Sequence, residues 1–252
     1  MDDLKFMMNK FYQIFLLGLF ISGCSKDTCK DVDRGAYIYP EKPDGITFHE
    51  AVEFYKIPED IVRCMYTEEL FQTCISYPEI RLFWTGVRGL QDGFDMVKGY
   101  CNGFEELLNR RDAYSVIVNA YKELKIEGDW SSWTDLEIGR YICNIINYEV
   151  FLAQNEILKS LTQAQKIDLI NLTLNNLNLK FNLIKYYGYV GMGSSLAILS
   201  RIMVNDNYEP FMNEYANKEY LRIQILTMNI YDSDSFELIT KFSEEYLKTL
   251  EN

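Results

Sequence analysis

From residue 163 to residue 185 the apolar positions recur at helical spacing. Ile167, Ile170, Leu174, Leu177, Phe181 and Ile184 follow one another at steps of three and four, and Leu169, Leu172, Leu179 and Leu183 form a second stripe beside them. A helix apolar on two adjoining stripes has neighbours on both sides. The pattern therefore predicts a central helix over 163–185, with Ile170, Leu174, Leu177 and Phe181 buried. Thr162-x-x-Gln165 opens it as a capping box, in which each side chain satisfies the other residue's backbone N–H.

The rest of the chain reads as further helices. Thr47-x-x-Glu50 opens the first, Pro58 suits the first turn of the second, and Thr67 caps the third. Tyr77-Pro78 breaks the chain. A helix is predicted over 88–108, with Gly89, Gly93, Gly99 and Gly103 at close approaches between helices, and another from Ala113 to Leu124. Ile126 to Ser132 reads as a loop. Helices at 190–204, 208–229 and 235–250 follow, the last opened by Asp234-x-x-Glu237. No alternation of useful length predicts a strand. The expected fold is all-α: an irregular bundle of antiparallel helix pairs, with a short α-solenoid as the alternative. No fixed-period repeat supports the solenoid.

The first 24 residues follow a different pattern. Lys10 precedes a mainly apolar run, Phe11 to Ile21, which ends in Ser22, Gly23 and Cys24. A basic residue, a short apolar core and small residues before a cysteine form the layout of a secretory signal. The run is too short for a spanning helix, which needs ~20 apolar residues. Ile21-Ser22-Gly23-Cys24 resembles the lipobox of bacterial lipoproteins, with Ile where Leu is more usual. The resemblance implies that the leader, 1–23, is removed and that Cys24 carries the lipid that fixes the protein to a membrane. The residue after it, Ser25, is not Asp, which by the sorting rules of that family implies the outer membrane. Ser25-Lys26-Asp27 is similar to the short acidic export signal of surface lipoproteins in the Bacteroidota, so the periplasmic face and the cell surface both stay open. Asp2 and Asp3 are out of place in a signal, and a start at Met7 or Met8 removes them. Residues 24–45, polar and with Pro40, Pro43 and Gly45, read as a flexible tether, and 46–252 as the helical domain.

Charge narrows the partners. The formal net charge is −12, and removing 1–23 takes two Asp and two Lys with it and leaves that value unchanged. Nucleic acid needs clustered Lys and Arg and is excluded as a partner. Aromatic residues make up 15% of the chain, with 19 Tyr and 15 Phe; most read as core, and any exposed excess would be a contact surface for carbohydrate or protein.

Candidate chemistry is sparse. His49 is the only histidine, and His49-Glu50 lacks the second histidine of a zinc-protease helix, so it reads as a first-turn helix residue. Cysteines 29, 64, 74, 101 and 143 have no metal-ligand spacing, and neither a metal nor a cofactor is predicted. They read as buried small apolar residues, with Cys64–Cys74 the one pair to test for a disulfide. Gly191-Met192-Gly193-Ser194-Ser195 lacks the third glycine and the preceding strand of a nucleotide-binding loop and reads as helix packing. Asp92, Asp95, Glu105 and Glu106 are paired carboxylates of the kind that hydrolyse glycosides across a cleft, but on one helical segment they suit a solvated face. No catalytic residue is assigned. Trp130 and Trp133 flank a loop end and are the candidate recognition residues, against the alternative that they plug a gap between helical halves; Trp84 reads as core. The expectation is a lipid-anchored envelope protein whose helical domain binds or scaffolds a partner protein or a glycan. The alternative is a carboxylate-based enzyme acting on glycans.

Overall fold

The structure is a computed structural model that describes Cys29 and residues 35–252. Fourteen helical elements and no strand are present among the described residues. In chain order they are α1 (Phe48–Phe54), α2 (Glu59–Cys64), α3 (Thr67–Ile75), a 3-10 turn (Ile80–Thr85), α4 (Leu90–Tyr100), α5 (Asn102–Asn109), α6 (Ala113–Lys122), α7 (Asp135–Leu152), α8 (Asn155–Leu158), α9 (Gln163–Asn182), α10 (Ile184–Asn205), α11 (Glu209–Asn217), α12 (Glu219–Thr227) and α13 (Ser233–Glu251). The all-α bundle is thus the observed architecture. No described helix is long and apolar enough to cross a membrane.

Local chemistry sets the helix ends. Capping boxes at Thr47/Glu50, Thr134/Glu137 and Thr162/Gln165 open α1, α7 and α9. The last helix starts two residues before the predicted box, because the Asp232 carboxylate accepts the Ser235 backbone N–H at 2.8 Å. The predicted helix over 88–108 is broken at Cys101, which adopts extended backbone between α4 and α5. That over 208–229 is broken at Lys218 in the same way.

The central helix is α10, not α9. Every residue from Gly191 to Met203 is buried, and α10 packs against α7, α9 and α13. The Gly-Met-Gly-Ser-Ser segment lies inside it, as helix packing: a Cβ on Gly193 would stand 2.9 Å from the Ile230 carbonyl oxygen. Gly188 bends the same helix with φ +58° and ψ −174°, a conformation glycine reaches without steric cost. On α9, Ile170 and Leu177 are buried and Leu174 is half-buried, but Phe181 is 54% exposed. Its buried face continues through Thr173, Asn176 and Lys180, so the inward stripe is polar in its last turns.

The N-terminal part of the domain has an aromatic core. Phe71, Phe83, Phe94, Phe104 and Phe151 are completely buried, and the Phe151 ring lies 4.9 Å from Phe104 and 5.4 Å from Phe94. Tyr37 and Tyr39, within the stretch expected to be a tether, pack on this part. The Tyr37 N–H donates to Thr73 Oγ1 at 2.8 Å, and the Tyr39 ring meets Tyr55 and Tyr77 edge-on. Cys64 does not pair with Cys74: Cys64 is engaged in a disulfide, and Cys74 is a buried free thiol.

Candidate functional site

The residues singled out from the sequence do not converge. Cys24 lies outside the described residues. Trp130 is 8% exposed, with its ring 5.2 Å from Tyr186, and fills the space beneath the 126–133 loop. Trp133 is 39% exposed and rests edge-on against Tyr141, whose hydroxyl is tied to the Lys125 backbone. Trp84 is 37% exposed rather than core. His49 is an exposed first-turn residue of α1. Asp92 pairs with Arg88 at 2.8 Å, which holds its carboxyl below the usual range, and Asp95 accepts from Gln91 at 2.8 Å. Glu106 pairs with Arg110 at 3.1 Å, while Glu105 lines a shallow polar hollow on α5. Among the described residues no group of three or more His, Cys, Asp or Glu is placed to hold a metal.

An apolar concavity lies where α10 bends. Met192, Leu196 and Ile230 floor a cleft of about 280 Å³, with Phe181 and Ile184 on one wall and Tyr231 and Phe236 on the other. Three local features build it. Gly188 turns Tyr189 outward; Met228, in the left-handed region at φ 53°, ends α12; and the open Cα of Gly193 admits the Ile230 backbone. Phe181, Tyr189 and Tyr231 are 54%, 57% and 58% exposed. All three rings line the cleft. Asp232 and Glu237 supply the rim. Burial pushes the Asp232 carboxyl up, but hydrogen bonds from Ser235 and Gln224 outweigh it and hold it below the ordinary value.

Behind this floor is a knot of buried polar groups that sequence reasoning missed. The turns of α10 that present Met192 and Leu196 to the cleft present Ser194 and Ser195 to Glu149 and Lys180, all four at 0% exposure. Lys180 Nζ donates to Glu149 Oε2 at 2.5 Å, to the Gly191 carbonyl at 2.8 Å and to Ser195 Oγ at 3.0 Å. The hydroxyls of Tyr121, Ser194 and Ser195 donate to the same carboxylate, and Asn176 donates to Tyr121. Burial pulls the Lys180 ammonium down, and Glu149 pulls it back up. Lysine beside serine can activate a nucleophile, but here all three ammonium protons are committed and no solvent reaches the group. The knot links α7, α9 and α10 through buried hydrogen bonds.

Arg201 is the second buried cation. Its guanidinium donates to the Gln91 side chain and to the carbonyls of Ala153, Ile225 and Leu226, which uses all five N–H groups. Those carbonyls end α7 and α12, where helix dipoles favour a cation. Burial pushes Arg201 down to about 10. The polar hollow of about 340 Å³ beside it is therefore lined by a cation whose donors are already spent.

No protein-family profile matches the chain, and no curated protein or solved structure matches it.

Proposed function

We propose that the chain is a lipid-anchored envelope protein whose helical domain captures a partner protein through the cleft at the bend of α10. The leader 1–23 and Cys24 supply the anchor, on the outer membrane. Each buried CH₂ contributes ~0.8 kcal/mol, and stable anchoring takes more than one chain, as a lipidated cysteine provides. The disulfide engagement of Cys29 and Cys64 supports an oxidising compartment.

The observation that carries the binding reading is the cleft itself. Its floor is Met192, Leu196 and Ile230, which suit an apolar anchor side chain rather than the hydroxyl-rich face of a sugar. A glycan is the second reading, and it rests on Trp133, whose half-exposed indole stands beside a loop.

A photo-crosslinking residue in place of Tyr231 in intact cells tests the cleft. The expected result is a discrete adduct to one envelope protein that disappears when Met192→Glu is added to a chain that still folds. An adduct pattern identical to that from the same probe at exposed Glu123 overturns the reading. Cys24→Ala, with the chain moving from the membrane to the soluble fraction, tests the anchor separately.

A further inference from the structure

The charges at the cleft are all of one sign. Asp232 and Glu237 line it, and no basic side chain does among the described residues. Both acids stand on the side of Tyr231 and Phe236, where α13 begins, and neither on the side of Phe181 and Ile184. The lysines of the surrounding segments are engaged elsewhere. Lys180 is spent on Glu149, Lys218 pairs with Glu214 at 2.8 Å, and Lys185 lies over the Tyr186 ring at 4.4 Å. The start of α13 carries the positive end of a helix dipole, roughly half a charge. Asp232, Asp234 and Glu237 outweigh it, so the local balance is negative.

Asp232 has acceptor capacity to spare. One of its oxygens accepts the Ser235 backbone N–H at 2.8 Å, and the other accepts the Gln224 side chain at 2.6 Å. A carboxylate offers about four acceptor positions, so two remain for an incoming donor. The wall beside it is aromatic. Tyr231 is largely exposed, and the Phe236 ring lies 5.8 Å from Phe181. Aromatic faces attract cations, and the stems of Lys and Arg lie along apolar surface while the charged head reaches beyond it.

Taking the cleft as the capture site, as above, we propose that the partner segment carries a lysine or arginine beside the apolar side chain that enters it. The apolar side chain rests on Met192, Leu196 and Ile230, and the cation runs along Tyr231 and Phe236 to Asp232 and Glu237. With acids on one side only, the segment lies across the cleft in one direction, its cation toward α13. An acidic segment is repelled by the rim. A neutral apolar segment desolvates Asp232 without giving it a partner, which costs free energy. The rim therefore selects by rejection as well as by attraction.

The test presents a displayed random peptide library to the full chain, solubilised in detergent, and in parallel to Met192→Glu, whose cleft is blocked. Wild type is expected to enrich peptides with an apolar side chain beside Lys or Arg, and Met192→Glu to lose them. Asp232→Asn keeps the cap of α13, since Asn caps as well as Asp. It should weaken a selected peptide by about tenfold, the scale of a charged hydrogen bond. Glu237→Gln, more exposed, should weaken it roughly twofold, and the distant Glu123→Gln should leave it unchanged. Replacing the peptide's base by Gln should abolish the difference between wild type and Asp232→Asn. Apolar peptides enriched with no basic preference overturn the cation and leave the cleft reading standing. A basic preference that survives in Met192→Glu, or that falls equally with Glu123→Gln, is attraction to the acidic chain at large and overturns the proposal. Enrichment of no apolar-containing peptide overturns the cleft reading as well.

Discussion

Phe151 and Glu149 are two residues apart on α7, both completely buried, and they anchor regions built on opposite principles. Around Phe151 the contacts are ring against ring, with Phe71, Phe83, Phe94 and Phe104 at centroid distances of 4.9 to 6.0 Å. Around Glu149 they are hydrogen bonds from Lys180, Tyr121, Ser194 and Ser195. Aromatic pairs prefer edge-on or offset geometries by only ~0.5–1.5 kcal/mol, so a rotated neighbour costs little. A buried carboxylate does not, because each missing donor leaves desolvated charge behind. The aromatic region supplies burial, while the polar knot selects one register of α7, α9 and α10 from the many that would bury similar area. Whether such a knot adds net stability is a separate question, since a buried ion pair can be matched or exceeded by apolar residues of similar shape.

The sharpest way to break this contrast is Lys180→Met. It strands Glu149, and we expect a loss of ~3–5 kcal/mol in urea unfolding. Adding Glu149→Leu should recover much of that loss, because no charge is then left unpaired. A single variant as stable as wild type would remove the knot from the account. Trp130→Ala should cost about 3 kcal/mol through lost burial and cavity formation, whereas Trp133→Ala should stay within about 0.5 kcal/mol, by the same measurement. Equal losses would contradict their different exposure. Phe151→Leu should cost less than about 1.5 kcal/mol, because the neighbouring rings can close on a residue of nearly the same volume.

The smallest effect is in pH. The Asp232 carboxyl is held below its unfolded value, so its contribution is present above that value, near pH 4, and is lost as pH falls through the folded value. Asp232→Asn should flatten the acid limb of a melting-temperature profile below about pH 4. An unchanged limb would show that the cap does not discriminate between protonation states.

The helical class and several helix starts were legible because they depend on neighbours in sequence. Thr47 with Glu50, and Thr162 with Gln165, cap the helices they predict. Phe181 shows where periodicity stops being a guide. The apolar stripe runs on through Phe181 and Ile184, but the buried face is decided by Glu149 on another helix, which draws Lys180 inward and leaves Phe181 to the cleft. In the sequence Lys180 looks like an ordinary cation near a helix end. Two signals left unread above could have located α7 and its buried acid: the Thr134-x-x-Glu137 box, and the single acid within Tyr148-Glu149-Val150-Phe151. Cys64–Cys74 failed for a related reason. Proximity in sequence carries no information about which thiols the packed helices bring together, and the packing of α3 against α5 leaves Cys74 a buried free thiol.

The saturation of Arg201 has a consequence for how the protein is made. Its acceptors span the chain from Gln91 to Leu226, and two of them lie more than twenty residues downstream of the arginine itself. While the ribosome is still adding those residues, α10 already carries a cation that belongs in the interior and has no place to put it. The segment around Arg201 must stay open to water until Ile225 and Leu226 arrive, and only then can the central helix close against Ala153. Only a chain synthesised past Leu226 can give the guanidinium its full set of acceptors.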